Sequence, residues 1–488
     1  SKITEFLPSF AGLQLEAELS ALEKVTTEIK KPITCIIGGS KISTKIGIIK
    51  NLIPKFDNII IECTFFEDDE LSSAKERKHM HWKLLEKVIK EGIRIPLSAS
   101  CVDIWGSDLE DSPYLFESGD ADGYGLPTGI GPIPFFSNKK DSVLLPLWLF
   151  DNKKEISPID PRHILNSICN KYKDLKLYPV VAFELEFYLF NENKVRSLNF
   201  DSPEFTNVLS ITDIENHEEF FDELYDLCKK NNIPMDGVSS ENAPNQFEVN
   251  LKHINDPLKA ADQAIIFKRF IKGIARKHKK RATFMAKPFS KISGSGMHVH
   301  FSLLDKNKKN IFNNNTDLGS QTLKNAVGGI LNSLKDSTLI LAPHFNSYKR
   351  LRPGTHAPLN ICWGYENRTA AIRIPGGDYT SKRIEHRVAG ADANPYLVLS
   401  SILASALEGI LKKIEPLKPL TGDTYQKKVI QIAQSWDQAI NDFDKSKINK
   451  NFYFETFCKV FKNCKKQELE VFNSRIENFE LKTYLEEN

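Results

Sequence analysis

Apolar and polar side chains alternate from Val181 to Phe190, so an extended chain there would put Phe183, Leu185, Phe187 and Leu189 on one face and Glu184 and Glu186 on the other. The pattern recurs. Gln246 to Leu251 places Glu248 on a polar face, with Glu241 a short turn before it. Met297 to Ser302 sets His298, His300 and Ser302 opposite Met297, Val299 and Phe301, and Arg383, Glu385 and Arg387 share a face further on. Strands of this kind predict a sheet whose back is core and whose front carries charge.

Helical spacing frames these strands. Pro158 to Tyr172 reads as a helix that opens the main domain. Leu397 to Leu411 is apolar on most sides, with Asn394 as a cap and Pro395 at the first helical position. Ser400, Ser401, Ser405 and Glu408 interrupt it, and it is shorter than the roughly 20 residues a bilayer needs, so it predicts a buried helix and no membrane partner. At the other end, Leu15, Leu19 and Leu22 mark a helix, Ile33 to Ile37 a strand, the stretch to Lys55 a helix and Asn58 to Ile61 a second strand. Between them lies Gly38-Gly39-Ser40-Lys41-Ile42-Ser43-Thr44-Lys45, which fits either a phosphate at a helix start or a glycine turn with solvated lysines. Residues 64–93 are charged, with Glu67-Asp68-Asp69-Glu70 ahead of Lys75-Glu76-Arg77-Lys78, and read as a solvated helix or linker. From Ile95 to Asp151 glycine and proline punctuate short apolar runs, as in a small β-rich unit. The expected organisation is α+β: an α/β fragment over 1–62, a linker and partial β-grasp-like domain over 63–155, and a catalytic domain over 156–488 with an antiparallel sheet and flanking helices.

Composition narrows the partners. With 66 Lys and Arg against 63 Asp and Glu, the net charge of +3 gives no general attraction to nucleic acid, and none is expected as a partner. The basic run Arg276-Lys277-His278-Lys279-Lys280-Arg281 fits the end of a surface helix. The 8 cysteines are scattered without a Cys-x-x-Cys, which suits reduced thiols and a cytoplasmic location. Ser1 to Glu5 shows no basic segment leading into an apolar core, so no secretory leader is expected.

The polar faces carry the chemistry. Glu184 and Glu186 sit about 7 Å apart along one strand face, and paired acids on an otherwise apolar strand repel unless cations or protons intervene. Glu184, Glu186, Glu241, Glu248 and Glu385 with His298 form an oxygen-rich donor set that suits Mg2+ or Mn2+, two or more per site. The His298 and His300 pair taken alone fits a surface or core-edge pair equally well. Arg350, Arg352, Arg368, Arg373, Arg383 and Arg387 supply the opposite charge, as a carboxylate substrate and a polyphosphate require.

These motifs, in this order, resemble glutamine synthetase over residues 94–488: Phe183 to Phe187, Glu241-Asn242-Ala243-Pro244-Asn245-Gln246-Phe247-Glu248, Lys287-Pro288, Gly294 to His300, Asn346 to Gly354, Asn367 to Pro375, Arg383 to Arg387 and Ala393 to Tyr396. The resemblance is strongest to the branch of γ-glutamylpolyamine and γ-glutamylamide synthetases, including the ending Phe479 to Glu486. It implies an ATP-dependent ligase that joins glutamate to an amine through γ-glutamyl phosphate. It implies one metal on Glu186, Glu241 and Glu248 and another on Glu184, His298 and Glu385. Gly294, Arg350 and Arg387 would hold glutamate, His300, Ser302, Arg373 and Arg383 would hold ATP, and Arg368 would stabilise the transferring phosphoryl group. Arg350 to Ala357 matches the family's closing flap, where His356 stands in place of the glutamate that ammonia-using members carry. No clear match exists for the family's second ammonium ligand; Ser98 and Asp103 lie nearest the expected place. An amine other than ammonia is therefore expected, with a glutamine synthetase proper or a non-catalytic nucleotide- and glutamate-binding member as alternatives. A homo-oligomeric ring, hexamer or dodecamer, is expected if the small domain is competent. A zinc hydrolase built on His298 and His300 is a weaker reading, because the arginines have no place in it.

Residues 1–62 resemble the start of the nucleotide-binding half of phosphoglycerate kinase, through Leu7-Pro8-Ser9-Phe10-Ala11-Gly12 and the Gly38 to Lys45 loop. The glycine-rich segment that the family places next is missing, so phosphoglycerate kinase activity is not expected. The fragment implies a fusion, a join of two reading frames near residues 58–70, or a degenerate family member.

Overall fold

The computed structural model describes residues 34–37, 58–61, 87–114, 119–134, 136, 143–192 and 207–486. The chain divides into two compact units, Ser1–Leu85 and Glu86–Asn488. In the first, β1 (Thr34–Ile37) and β2 (Asn58–Ile61) pair in parallel, the arrangement the strand-helix-strand pattern predicts. The predicted helices, the Gly38 to Lys45 loop and the acidic run at Glu67 lie outside the described residues.

The second unit begins with a small antiparallel sheet of β3 (Ile93–Pro96), β4 (Asp122–Pro127) and β7 (Leu147–Phe150), joined by the short pair β5 (Ile133–Pro134) and β6 (Val143–Leu144). The large sheet contains β8 (Tyr178–Asn191), β9 (Met235–Ser240), β10 (Gln246–Leu251), β11 (Lys280–Thr283), β12 (Met297–Leu304), β13 (Trp363–Tyr365), β14 (Ile372–Ile374) and β15 (Ile384–His386). Its order is β13-β14-β15-β12-β8-β10-β9, with β11 paired to β8. All pairings are antiparallel except β13 with β14, so the sheet is mixed where an antiparallel one was expected. The exception is sterically cheap: three-residue strands rise only about 7 Å between their end Cα atoms, which the segment 366–371 can span in returning.

The predicted dry faces are dry. Phe183, Leu185, Phe187 and Leu189 of β8 and Met297, Val299 and Phe301 of β12 are buried in the principal core, together with Phe267, Phe270, Ile271 and Ile274. Three helices that cover this side start on an Asx-Pro pair: α1 (Pro161–Asp174), α2 (Pro257–Lys277) and α3 (Pro395–Lys412). The Asp160, Asp256 and Asn394 side chains accept from backbone amides of the first turn, while proline at the first helical position gives up an amide that has no partner in any case. The predicted Pro158 to Tyr172 helix is α1, displaced by its cap. The Leu397 to Leu411 helix is α3; by length and composition it could cross a membrane, but it is buried in the core. The basic run at Arg276 spans the end of α2 and the start of β11.

Candidate active site

Strand register brings the polar residues together. Glu186 of β8 sits opposite Glu248 of β10, and Glu184 of β8 opposite His298 of β12. His300 is opposite Glu385 of β15, which is in turn opposite Arg373 of β14. Because side chains on one face repeat every second residue, these pairs form one continuous polar wall whose reverse is the hydrophobic core. Glu241 joins it from the turn before β10, where Asn242 donates to its carboxylate.

The distances are short. His298 Nδ1 lies 3.1 Å from Glu184 Oε2, and its Nε2 lies 3.8 Å from Glu186 Oε1. His300 Nε2 stands 2.8 Å from Glu184 Oε1, and Arg383 donates to His300 Nδ1 at 3.2 Å. Among the described residues, two groupings have ligand atoms within 4.8 Å of one another: Glu184, Glu248 and His298, and Glu184, His300 and Glu385. This differs from the sequence-based partition: His300 stands with Glu385 and His298 with Glu248, Glu184 belongs to both groupings, and Glu186 and Glu241 belong to neither. The cause is the β12–β15 register, which no local pattern encodes.

Electrostatics of the wall fit divalent cations. Burial and the neighbouring carboxylates Glu186 and Glu248 push Glu241 up to about 8. Burial, with Glu184 and Glu186, does the same to Glu248, also to about 8. Glu184, which burial alone would raise, is held far below the ordinary range by His298 and His300. Carboxylates that can ionise only against one another, beside imidazoles, are a donor set for hard cations.

A second cluster backs the loop between β11 and β12. Gln246 Nε2 donates to Gly294 O at 3.0 Å, Tyr188 Oη to Ser293 O at 2.6 Å, and Lys287 Nζ to Ile292 O. The Gly296 amide donates to Glu186 Oε2 at 2.7 Å. Arg350, 5% exposed, forms the wall of this loop: a Cβ at Gly294 would lie 2.9 Å from its Cγ, and one at Gly296 2.8 Å from its Nη2. Its Nη1 donates to Val388 O at 2.8 Å. Arg387 donates through Nη1 to Glu385 and through Nε to Arg368 O at 3.1 Å, while Arg373 Nη1 donates to the other oxygen of Glu385 at 2.8 Å. The buried Glu385 thus aligns two arginines.

The remaining expected residues differ in exposure. Arg368 is exposed; Ser302 is half-buried and opposite Val180. His356 is exposed, with φ at +61°, on the turn that follows Arg350. The Asp103 carboxylate is already engaged: it accepts from the Trp105 and Ser107 amides and from Gln467 on the helix Glu455–Ser474. Ser98 is buried. Sequence reasoning missed Glu366, whose carboxylate meets Arg373 at 3.2 Å, and Asp392, which accepts from Ser347 at 2.6 Å beneath Arg350. Their places beside the Asn367 to Pro375 and Ala393 to Tyr396 motifs were the only signal.

Residues 1–91 match the family model of phosphoglycerate kinase, a match that runs past residue 62, where the sequence resemblance was expected to stop. Gamma-glutamylputrescine synthetase of Escherichia coli (strain K12) is 32% identical over 408 residues, covering 82% of this chain and 86% of that protein. Glutamate–isopropylamine ligase of a Pseudomonas species is 33% identical, covering 67% and 74%. The structure titled as a GmaS/ADP complex superposes with a TM-score of 0.72 at 25% identity, covering 83% of this chain and 92% of that one. Residues 158–484, well over half of the molecule, match the family model described as glutamine synthetase, catalytic domain, and the chain belongs to the glutamine synthetase family.

Proposed function

We propose that this protein is an ATP-dependent ligase that joins the γ-carboxylate of glutamate to an amine other than ammonia, forming a γ-glutamylamide. The observation that carries this reading is the continuous wall formed by β10, β8, β12, β15 and β14, with carboxylates and imidazoles at one end and arginines at the other. Glu184, Glu186, Glu241, Glu248, His298, His300 and Glu385 would hold Mg2+ or Mn2+. Bound there, the cations supply positive charge to the nucleotide phosphates and relieve the repulsion among the carboxylates.

The chain's own residues divide the rest of the work. Gly294, whose loop is anchored by Gln246 and Tyr188, and the arginines Arg350 and Arg387 would receive glutamate. His300, Ser302, Arg373 and Arg383 would receive ATP. In line attack of the γ-carboxylate on the γ-phosphate gives γ-glutamyl phosphate and ADP, and Arg368 would balance charge on the transferring group. The amine nitrogen then attacks the acyl carbon, phosphate leaves and one proton is lost. Closure of the Arg350 to Ala357 turn would keep water from the acyl phosphate, and His356 would face the incoming amine. An imidazole gives no fixed negative charge for ammonium, and the nearest acid, Asp103, is already engaged. The relatives named for putrescine and isopropylamine support the same choice. A homo-oligomeric ring and a cytoplasmic location complete the proposal.

The test is ADP release with glutamate, Mg2+ and a panel of amines, run beside a mass measurement of the particle. Stimulation by one or more alkylamines or polyamines above ammonia is expected. Stimulation by ammonia alone, or by no amine in folded protein, would sink the reading.

A further inference from the structure

Glu366 takes no part in the ligand sets above, and its setting is unusual for an exposed acid. It follows β13 with φ at +52°, in the left-handed region that side chains bearing a Cβ avoid. Its side chain is 58% exposed, yet both carboxylate oxygens lie on Arg373, whose Nη2 is 3.2 Å from Oε2 and 3.4 Å from Oε1. The Gly376 amide donates to Oε1, and a Cβ at Gly376 would stand 3.3 Å from the carboxylate carbon, so the turn after β14 closes directly on this group.

Arg373 does not need Glu366 for its position. Its Nη1 is already fixed by Glu385, which is 1% exposed, at 2.8 Å. Glu366 instead takes the other terminal nitrogen, Nη2, and with its side chain 58% exposed against 11% for Arg373 it is the partner of the pair that solvent reaches. Arg368 also lies within electrostatic range of the Glu366 carboxylate. Two anions on one guanidinium edge repel, and an ion pair whose carboxylate is open to solvent is weak enough to be exchanged.

We infer that Glu366 is an internal competitor for the nucleotide arginine: its carboxylate covers Arg373 until a phosphate displaces it, which weakens nucleotide binding and hastens departure of the diphosphate product. The inference rests on the assignment of Arg373 to the nucleotide phosphates. It makes Glu366 a determinant of nucleotide affinity rather than a support for the loop.

The two roles differ in sign. A supporting carboxylate, once removed, would leave nucleotide binding weaker; a competing one would leave it tighter. Calorimetric titration of the full chain with MgADP should give a Kd lower by about three- to five-fold for Glu366→Gln and Glu366→Ala, the range an ion pair with a solvent-open carboxylate allows. The gap from wild type should shrink at high ionic strength, and KM for glutamate should not move. Unchanged or weaker MgADP binding in folded Glu366→Gln overturns the inference alone. Absence of MgADP binding by wild type overturns it together with the nucleotide assignment.

Discussion

At the scale of single residues, the wall stores repulsion that a cation would relieve. Glu248 is pushed up to about 8 by burial, Glu184 and Glu186, so at pH 7.5 without divalent ions it is either protonated or ionised at a cost. Glu248→Gln should therefore raise the melting temperature in EDTA, while wild type and not the variant gains strongly from millimolar Mg2+. Equal Mg2+ shifts in both would remove Glu248 from the metal set. His344 gives the complementary acid dependence. Burial, then Lys465 and Lys268, lowers its value from 6.5 to about 3, so between those limits the unfolded chain binds a proton that the native one does not. Its contribution is complete above pH 6.5 and is lost as pH falls toward 3, amounting to about 1.4 kcal/mol by pH 5.5. In urea unfolding, His344→Gln should lose about that much less stability than wild type between pH 7.5 and 5.5; parallel losses would assign the acid sensitivity elsewhere. Individual wall residues were legible because a charged residue inside an alternating apolar strand has few purely structural explanations. Glu366 was not, because an acid in a loop looks solvated until its arginine is seen.

At the scale of elements, the alternation in β8, β10 and β12 and the Asn394-Pro395 start of α3 are local signals, and each survives in the structure. What local signals omit is how elements meet. Arg162 of α1, Asp262 of α2 and Tyr396 of α3 form one buried knot: Arg162 donates to both oxygens of Asp262 at 2.7 and 2.8 Å, and Tyr396 Oη donates to Oδ1 at 2.6 Å. The Arg162 guanidinium also lies 3.8 Å from the ring centre of Trp148 on β7, so the knot ties the small sheet to the large domain. Nothing in any one helix sequence marks these residues as partners, just as nothing local pairs His300 with Glu385. Removing one member of a buried pair leaves the other charge uncompensated, so Asp262→Ala should cost about 3–5 kcal/mol in urea unfolding. Asp262→Asn, which keeps an acceptor for Tyr396, should cost less. A loss near zero for the alanine variant would mean that water compensates Arg162 and that the knot does not hold the sheets together.

At the scale of the whole molecule, the two units stand on different footings. Every residue of the polar wall and of the principal core belongs to Glu86–Asn488, and the catalytic-domain match ends within it as well. The first unit contributes two short parallel strands among its described residues, and a parallel pair of four-residue strands buries too little to hold a domain by itself. The Escherichia coli relative aligns with 82% of this chain, and so accounts for a length close to that of the second unit. If the chemistry resides where the wall resides, a chain starting at Glu86 should unfold cooperatively, keep the Mg2+-dependent rise in melting temperature, and release ADP in response to the same amines as the full chain. The pair of measurements separates the causes of failure. A truncated protein that melts without cooperativity would show that the first unit contributes to folding. One that folds and responds to Mg2+ but releases no ADP would show that the phosphoglycerate-kinase-like residues supply part of the reaction, which would overturn the assignment of catalysis to the β8–β12–β15 wall alone.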